Sequence, residues 1–362
     1  MKNPLKIILT GVGCPGAMTM INALKSVKER EIYIIGTDTK ENAAGRFFVD
    51  EFYTVPLGLE ENYIPSIREI YKKTNADLIL PQTSYEVVPL CRNKKQLAEE
   101  GINVLVSDED SVIRGGDKWH TYEAVKNTSV LIPSPILVKS VEEFKKGIKT
   151  LGYPQNQVCF KPPYSKGSRG FRTISSNANR LDLLLNEKPG SMLITLDEAI
   201  DIFETASTFP DLILMKFIPG KEYTVDLYCK NGEILCGFTK TREAIRDGLA
   251  MYFETVDRPD LWKSAAIVVK KLNLSNFVNV QFKDNVLLEV NPRVSTFIHQ
   301  DNFNMPYLGI KHFLGEISDE EIREYSKNVN TSRRTVRFYD QVFYNQEDLE
   351  SKEEVEKVAH QL

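Results

Sequence analysis

The sequence predicts an α/β protein in which an open parallel sheet is followed by a unit of mixed α+β character. Three features carry this expectation. Through the first 115 residues, short apolar runs alternate with helical patterns, as in βαβ units. Gly11-Val12-Gly13-Cys14-Pro15-Gly16 forms a GxGxxG turn between the first run and the first helical pattern. Beyond residue 157 hairpins take over, with Asn231-Gly232 as the strongest turn signal.

A chain of 362 residues exceeds one small domain and suggests two or three units. A net charge of -4 argues against a nucleic-acid partner held by bulk electrostatics. No apolar run approaches bilayer length and no signal-peptide core opens the chain, so no membrane partner and a cytoplasmic location are expected. Cys14, Cys91, Cys159, Cys229 and Cys236 are scattered without a CxxC, which suits core residues better than a zinc site or disulfides.

In chain order, strands are expected at residues 5–10, 32–37, 51–55, 77–81 and 103–106, with helices at 17–27, 64–73 and 93–100 between them. The glycine turn and Asp38 at the end of the second strand read either as an NAD site or as a tight structural turn. Thr83-Ser84-Tyr85-Glu86, past a strand's carboxyl end, reads as a ligand loop or as a helix cap. Gly115-Gly116 marks a boundary, and a helix at 117–126 leads to an extended Pro133/Pro135 linker.

A helix at 141–150 and a strand at 157–161 open the second unit. The loop from Pro162 to Phe171 holds Ser165, Lys166, Gly167, Ser168 and Arg169, and can wrap phosphate oxygens or form a solvated hairpin tip. Residues 177–190 read as an insertion, and 196–204 as a helix. The strand ending at Met215-Lys216-Phe217-Ile218 could wall a purine with Glu222 at the ribose, or could be core with a surface glutamate. Residues 239–248 read as a basic loop lining a site, where the guanidinium fork of Arg242 could hold a substrate carboxylate. Helices at 261–272 and 306–314, an acidic helix start at 318–325, a β-like run at 335–343 and a charged tail complete the chain.

Between the first two of these helices lies a hairpin, residues 278–291. Its apolar residues alternate, Val278, Val280 and Phe282 on one strand and Val286, Leu288 and Val290 on the other. A three-residue loop, Lys283-Asp284-Asn285, would set both rows on one face and bring Gln281, Glu289 and Asn291 together on the other. That oxygen set suits a hard cation such as Mg²⁺, and equally a solvated hairpin face.

Taken together, these motifs resemble the ATP-grasp superfamily, most closely a single synthetase unit of the carbamoyl-phosphate synthase large chain, over residues 6–315. The resemblance rests on NVQF paired with EVNPR, on FIPGKEY, and on the serine- and glycine-bearing loop after Lys161. It implies a Rossmann-like pre-ATP-grasp domain (1–115) that does not bind NAD, an ATP-grasp domain (116–315, lid roughly 130–215), and a C-terminal extension (316–362) packing on its core. It further implies Mg²⁺ or Mn²⁺ on Gln281, Glu289 and Asn291, with Arg293 at the phosphates or acyl phosphate. ATP would be held by Lys118, Lys161, Ser165, Lys166, Gly167 and Ser168, by Lys216, Phe217 and Ile218, and by Glu222. Met215 stands where the family commonly has Glu, and Arg169 where small residues are usual.

The expected function is an ADP-forming carboxylate-amine ligase that activates a small carboxylate as an acyl phosphate for attack by an amine. The alternatives are a nucleotide-binding subunit that needs a partner for turnover and, remotely, an NAD-dependent oxidoreductase. A homodimer is compatible with the sequence.

Overall fold

The computed structural model describes residues 2–165, 169–176, 181, 185, 192–246, 249–294, 299–300 and 302–345. Its amino-terminal strands β1 (Leu5–Thr10), β2 (Ile32–Asp38), β3 (Glu51–Thr54) and β4 (Leu78–Leu80) form a parallel sheet of order β3-β2-β1-β4. Instead of the strand expected at 103–106, Val104 makes one parallel bridge to Ile79. The central strands are apolar on both faces because both are covered. Ile7 and Leu9 pack with Met20, Ile21 and Leu24 of helix α1 (Ala17–Lys25). On the other face Ile8 and Ile35 meet Ile67 of α2 (Tyr63–Thr74), Leu90 of α3 (Ser84–Arg92) and Leu97 of α4 (Lys94–Glu99).

Gly115 and Gly116, where the boundary is expected, lie within helical structure. They end helix α5 (Glu109–Gly116), and a Cβ on Gly115 would lie 3.5 Å from Leu274 and 3.7 Å from Val290. Helix α6 (Lys118–Val125) follows at once, capped by the Asp117 side chain.

A five-stranded sheet of order β5-β9-β6-β7-β8 comes next, built from β5 (Ile136–Val138), β6 (Val158–Lys161), β7 (Arg172–Ile174), β8 (Leu193–Ile194) and β9 (Leu212–Lys216). Helices α7 (Val141–Thr150) and α8 (Leu196–Thr205) cover it through edge-to-face packing of Phe144, Phe160 and Phe203. The expected insertion at 177–190 lies outside the described residues except for positions 181 and 185.

The larger sheet has the order β14-β13-β10-β11-β12-β17. Its strands are β10 (Glu222–Lys230), β11 (Glu233–Arg246), β12 (Leu249–Val256), β13 (Asn276–Lys283), β14 (Val286–Asn291) and, after the β15 (His299–Gln300) and β16 (Phe303–Asn304) ribbon, β17 (Arg334–Val336). Two expectations are corrected here. Residues 239–246 continue β11 rather than forming a loop, because their polar side chains alternate across a half-buried strand paired with β12. The β-like run at 335–343 contracts to β17.

The hairpin also differs in detail. Lys283 pairs with Val286, so Asp284-Asn285 is a two-residue turn with Asp284 at φ +49°. A register shift after Phe282↔Leu287 then pairs Gln281 with Glu289, where the three-residue loop would have opposed Gln281 to Leu287, and leaves Leu288 as a bulge. Leu287 is therefore the buried residue, while Val286 and Leu288 are only partly covered.

One face of the larger sheet packs Val225, Leu227, Val278 and Val280 on helix α9 (Pro259–Lys271). The opposite face changes character along the strands. Rows Glu222–Arg242–Lys283 and Thr224–Lys240–Gln281 are polar, Asp226–Phe238–Asn279 is mixed, and Tyr228–Cys236–Phe277 is mostly apolar. That last row joins β1, β2 and α1 in one core with helices α10 (Met305–Phe313) and α11 (Asp319–Tyr325). Helix α10 approaches so closely that a Cβ on Gly309 would lie 2.5 Å from Phe277 Cζ and 2.7 Å from Tyr228 Cδ2. The C-terminal segment spans both units: β17 pairs with β12, Arg337 donates to Thr19 Oγ1 at 3.3 Å, and Tyr344 stacks on Phe47 with centroids 4.7 Å apart.

Candidate active site

The polar end of that face floors a cavity of about 630 Å³ between the two sheets and the amino-terminal domain. Gln281, Glu289, Asn291 and Arg293 line it from the hairpin, and Glu222 and Arg242 from β10 and β11. Lys118 lines it from α6, Lys161 and Ser165 from the end of β6 and the loop after it, with Lys216, Phe217 and Ile218 forming the wall beyond β9. Lys166, Gly167 and Ser168 lie outside the described residues.

The hairpin register sets the oxygen cluster. Gln281 and Glu289 are paired directly, as are Asn279 and Asn291, so all four side chains share a face. Asn291 Nδ2 donates to Glu289 Oε1 and to Asn279 Oδ1, both at 3.2 Å. Gln281 Nε2 lies 3.4 Å from the same Asn279 oxygen. Asn279 escapes the motif reading although the period of two from Gln281 points to it. Burial pushes the Glu289 carboxyl up, but Lys118 and Lys161 outweigh it and hold the group below the ordinary carboxylate range. Lys118 Nζ lies 3.5 Å from Glu289 Oε2. Burial in turn lowers both lysines.

Among the described residues there is no cluster of three His, Cys, Asp or Glu. One carboxylate with neighbouring amide oxygens is instead a hard donor set. It fits Mg²⁺, which accepts one or two protein carboxylates and completes its shell with phosphate and water.

The bulge has its own role. It turns the Leu288 carbonyl out of the ladder, where it accepts from Tyr122 Oη at 2.7 Å and from Lys161 Nζ at 3.2 Å. Lys161, delivered by β6, thus meets the hairpin through a backbone oxygen and lies 5.8 Å from the Tyr122 ring centroid. Lys118 Nζ donates to the Ser165 carbonyl at 3.1 Å, tying α6 to the loop after β6.

At the wall, the Phe217 N–H donates to the Gln157 carbonyl at 2.8 Å. Glu222 sits between Arg242 Nε at 3.6 Å and Lys283 Nζ at 3.7 Å. Arg242, read from sequence as a substrate-carboxylate ligand, therefore already faces a protein carboxylate while lining the cavity.

The amino-terminal domain closes the other end. Arg293 Nε donates to Ser84 Oγ at 3.1 Å, and its Nη1 to the Val294 carbonyl at 3.1 Å. Ser84 begins α3 behind a Thr83/Glu86 capping box, so the cap and the ligand-facing loop are one feature. Burial raises Glu86 to about 7, while its Oε2 accepts from Thr10 Oγ1 at 2.6 Å. In the glycine turn, Asp38 accepts from the N–H of Gly13 at 2.7 Å and of Lys40 at 3.1 Å. That carboxylate holds the turn, and Cys14, Pro15 and Gly16 present it to the cavity, with the helix beginning only at Ala17.

Comparison with known proteins agrees with this architecture. Residues 208–336 match a family described as ATP-grasp in the biosynthetic pathway with Ter operon, and residues 7–105 match a PylC-like N-terminal domain. The carbamoyl phosphate synthase large chain of Clostridium acetobutylicum is 25% identical over 254 residues, which is 66% of this chain and 22% of that protein. That of Methanobrevibacter smithii is 24% identical over 287 residues, 75% of this chain and 26% of its own length. The chain thus spans about a quarter of these curated relatives. Among solved structures, N5-carboxyaminoimidazole synthetase from Staphylococcus aureus superposes with a TM-score of 0.63 at 17% identity, covering 88% of this chain and 79% of that one. The biotin carboxylase domain of a Hydrogenobacter thermophilus 2-oxoglutarate carboxylase, solved as a dimer with MgADP and bicarbonate, gives 0.59 at 20% identity, covering 86% and 70%. At such identities the likeness shows the fold.

Proposed function

The chain has an ATP-grasp fold and resembles a single synthetase unit of the carbamoyl-phosphate synthase large chain, and on that premise we propose that it is an ADP-forming ligase. It joins a small carboxylate to an amine or similar nucleophile. The observation that carries the reading is the convergence, on one cavity, of Lys118, Lys161, Arg293, Glu289 and the Phe217–Ile218 wall.

In this reading Phe217 and Ile218 pack on the base and Glu222 takes the ribose hydroxyls. Lys118, Lys161 and Ser165, with Lys166, Gly167 and Ser168 beyond the described residues, surround the phosphates. Gln281, Glu289 and Asn291 would hold Mg²⁺ or Mn²⁺, which when bound neutralises phosphate charge. Arg242 and Arg293 orient the substrate carboxylate in line with the γ-phosphorus. A carboxylate oxygen forms the new P–O bond as the bond to ADP breaks. The amine then attacks the acyl carbon, expels phosphate and loses a proton. The side chains contribute position and positive charge rather than covalent chemistry. The amino-terminal domain (1–115) and the ATP-grasp domain (116–315) supply opposite walls, and the C-terminal extension (316–362), within its described residues up to 345, packs on the ATP-grasp core.

No helix among the described residues is long and apolar enough to cross a membrane. The five cysteines are free, which fits a reducing cytoplasm, and pairing with a second copy is part of the same reading.

The test is ADP release from ATP and Mg²⁺ across panels of carboxylates and amines. Glu289→Ala should lower it by about 100-fold or more. Turnover indifferent to that change contradicts the assignment. A second reading follows from the chain spanning about a quarter of its relatives: a subunit that binds nucleotide but turns over only with a partner. Nucleotide binding without turnover on any panel favours it.

A further inference from the structure

One peptide unit, Leu288–Glu289, is held from two other elements at once. It lies on β14, the edge strand of the larger sheet, so the carbonyl that the bulge turns outward meets side chains instead of a neighbouring strand. Helix α6 presents Lys118 and Tyr122, and residues four apart share a helix face. Lys118 Nζ reaches the Glu289 carboxylate at 3.5 Å, while Tyr122 Oη donates to the Leu288 carbonyl at 2.7 Å. From the five-stranded sheet, β6 delivers Lys161, whose Nζ donates to that same carbonyl at 3.2 Å. The ammonium lies 5.8 Å from the Tyr122 ring centroid, and both side chains are buried.

A carbonyl oxygen has two lone pairs, and here they receive a phenol and an ammonium. The two contacts depend on each other. The carbonyl faces Lys161 only while its peptide stays out of the ladder, and the shorter hydrogen bond, from a fully buried ring, holds it there. A lysine stem has many rotamers to lose, whereas a tyrosine packed on all sides has few. The tyrosine is therefore the fixed point and the lysine the guided one. An ammonium carries three N–H bonds, so giving one to the carbonyl aims the charge and leaves donors for phosphate oxygens.

We propose that Tyr122 is a positioning residue for the nucleotide phosphates, acting through the Leu288 carbonyl on Lys161. This rests on the ligase reading for the place of Lys161 at the phosphates, while the tether is testable without nucleotide. It gives α6 two tasks on adjacent residues of the hairpin, Lys118 on the Glu289 carboxylate and Tyr122 on the Leu288 carbonyl.

The experiment is calorimetry of the full chain with Mg²⁺ and a non-hydrolysable ATP analogue. Tyr122→Phe keeps the ring and removes only the hydroxyl. It should raise Kd by about threefold to tenfold, the size of one hydrogen bond, with the number of binding sites unchanged. A purely structural role would lower the number of competent sites and leave Kd as it is. Added to Lys161→Met, Tyr122→Phe should change Kd no further, since a residue acting through another loses its effect when that other is gone. An unchanged Kd in the single variant, or the same fold-change in both backgrounds, overturns the proposal. Labelling of nucleotide-free protein with an amine-reactive reagent, read lysine by lysine by mass spectrometry, tests the tether directly. Lys161 should label several-fold faster in Tyr122→Phe than in the native chain, with the other lysines unchanged. An unchanged Lys161, or an equal rise at all lysines, overturns the proposal. If the native chain does not bind the analogue, the nucleotide reading fails and the labelling alone decides whether Tyr122 holds Lys161. The labelling likewise decides if Lys161→Met leaves no measurable binding.

Discussion

Glu86 and Ser84 occupy one turn of α3 and face different tasks, the first buried under the glycine turn and the second holding Arg293. The carboxyl of Glu86, raised by burial to about 7 from an ordinary 4.5, keeps its proton in the fold where the unfolded chain has lost it. Its contribution to stability therefore declines as pH rises from about 4.5 to about 7 and stays lost above. The melting temperature of the native chain should fall between about pH 5 and about pH 8 by a larger margin than that of Glu86→Gln; equal pH dependence in the two proteins contradicts the assignment. The motif residues were legible because their spacing is local, as with Gln281, Glu289 and Asn291. The partner of Ser84 and the role of Tyr122 were not, since each side chain acts on a residue far along the chain, Arg293 in one case and the Leu288 carbonyl in the other.

The hairpin shows what an element reveals through its alternation and what it conceals. A three-residue loop, and a two-residue turn plus a one-residue bulge, have the same parity, so either sets Gln281 and Glu289 on one face, but only the turn with its bulge pairs them directly. Alternation alone could not reveal that Leu287 goes inward and that Leu288 offers its carbonyl. Residues 239–246 were misread because a strand lining a charged cavity has too many polar residues to look like one. Tyr122→Phe removes the shorter of the two hydrogen bonds to the Leu288 carbonyl and should cost about 1 kcal/mol in denaturant unfolding, with the hairpin intact. Gly309→Ala forces α10 away from Phe277 and Tyr228 and should cost about 1–3 kcal/mol. A melting temperature matching the native chain would show that the helix gives way freely.

Across the whole molecule, the order of elements was readable from sequence, but the joining of the units was not. Leu24 and Ile310 share a core while nearly the full chain separates them, and no local pattern records such a contact. That core fuses the parallel sheet, α10, α11 and the apolar row of the larger sheet, so thermal unfolding should be one cooperative event. Trp119 and Trp262, both packed beside the core of the larger sheet, report on that sheet, and far-ultraviolet dichroism reports on all elements. Coincident midpoints are expected, and separated ones would mean that the units melt independently. The polar-to-apolar gradient along β10, β11 and β13 has a further consequence. Because the strands that floor the cavity also roof the shared core, a ligand gripping Gln281 or Glu289 is mechanically continuous with Phe277 and α10. Occupancy should be thermodynamically linked to the melting of the entire protein, with about 2.7 kcal/mol gained at a hundredfold excess over Kd. A simple heat-denaturation screen of metabolite mixtures thus becomes a direct route to the acceptor and donor.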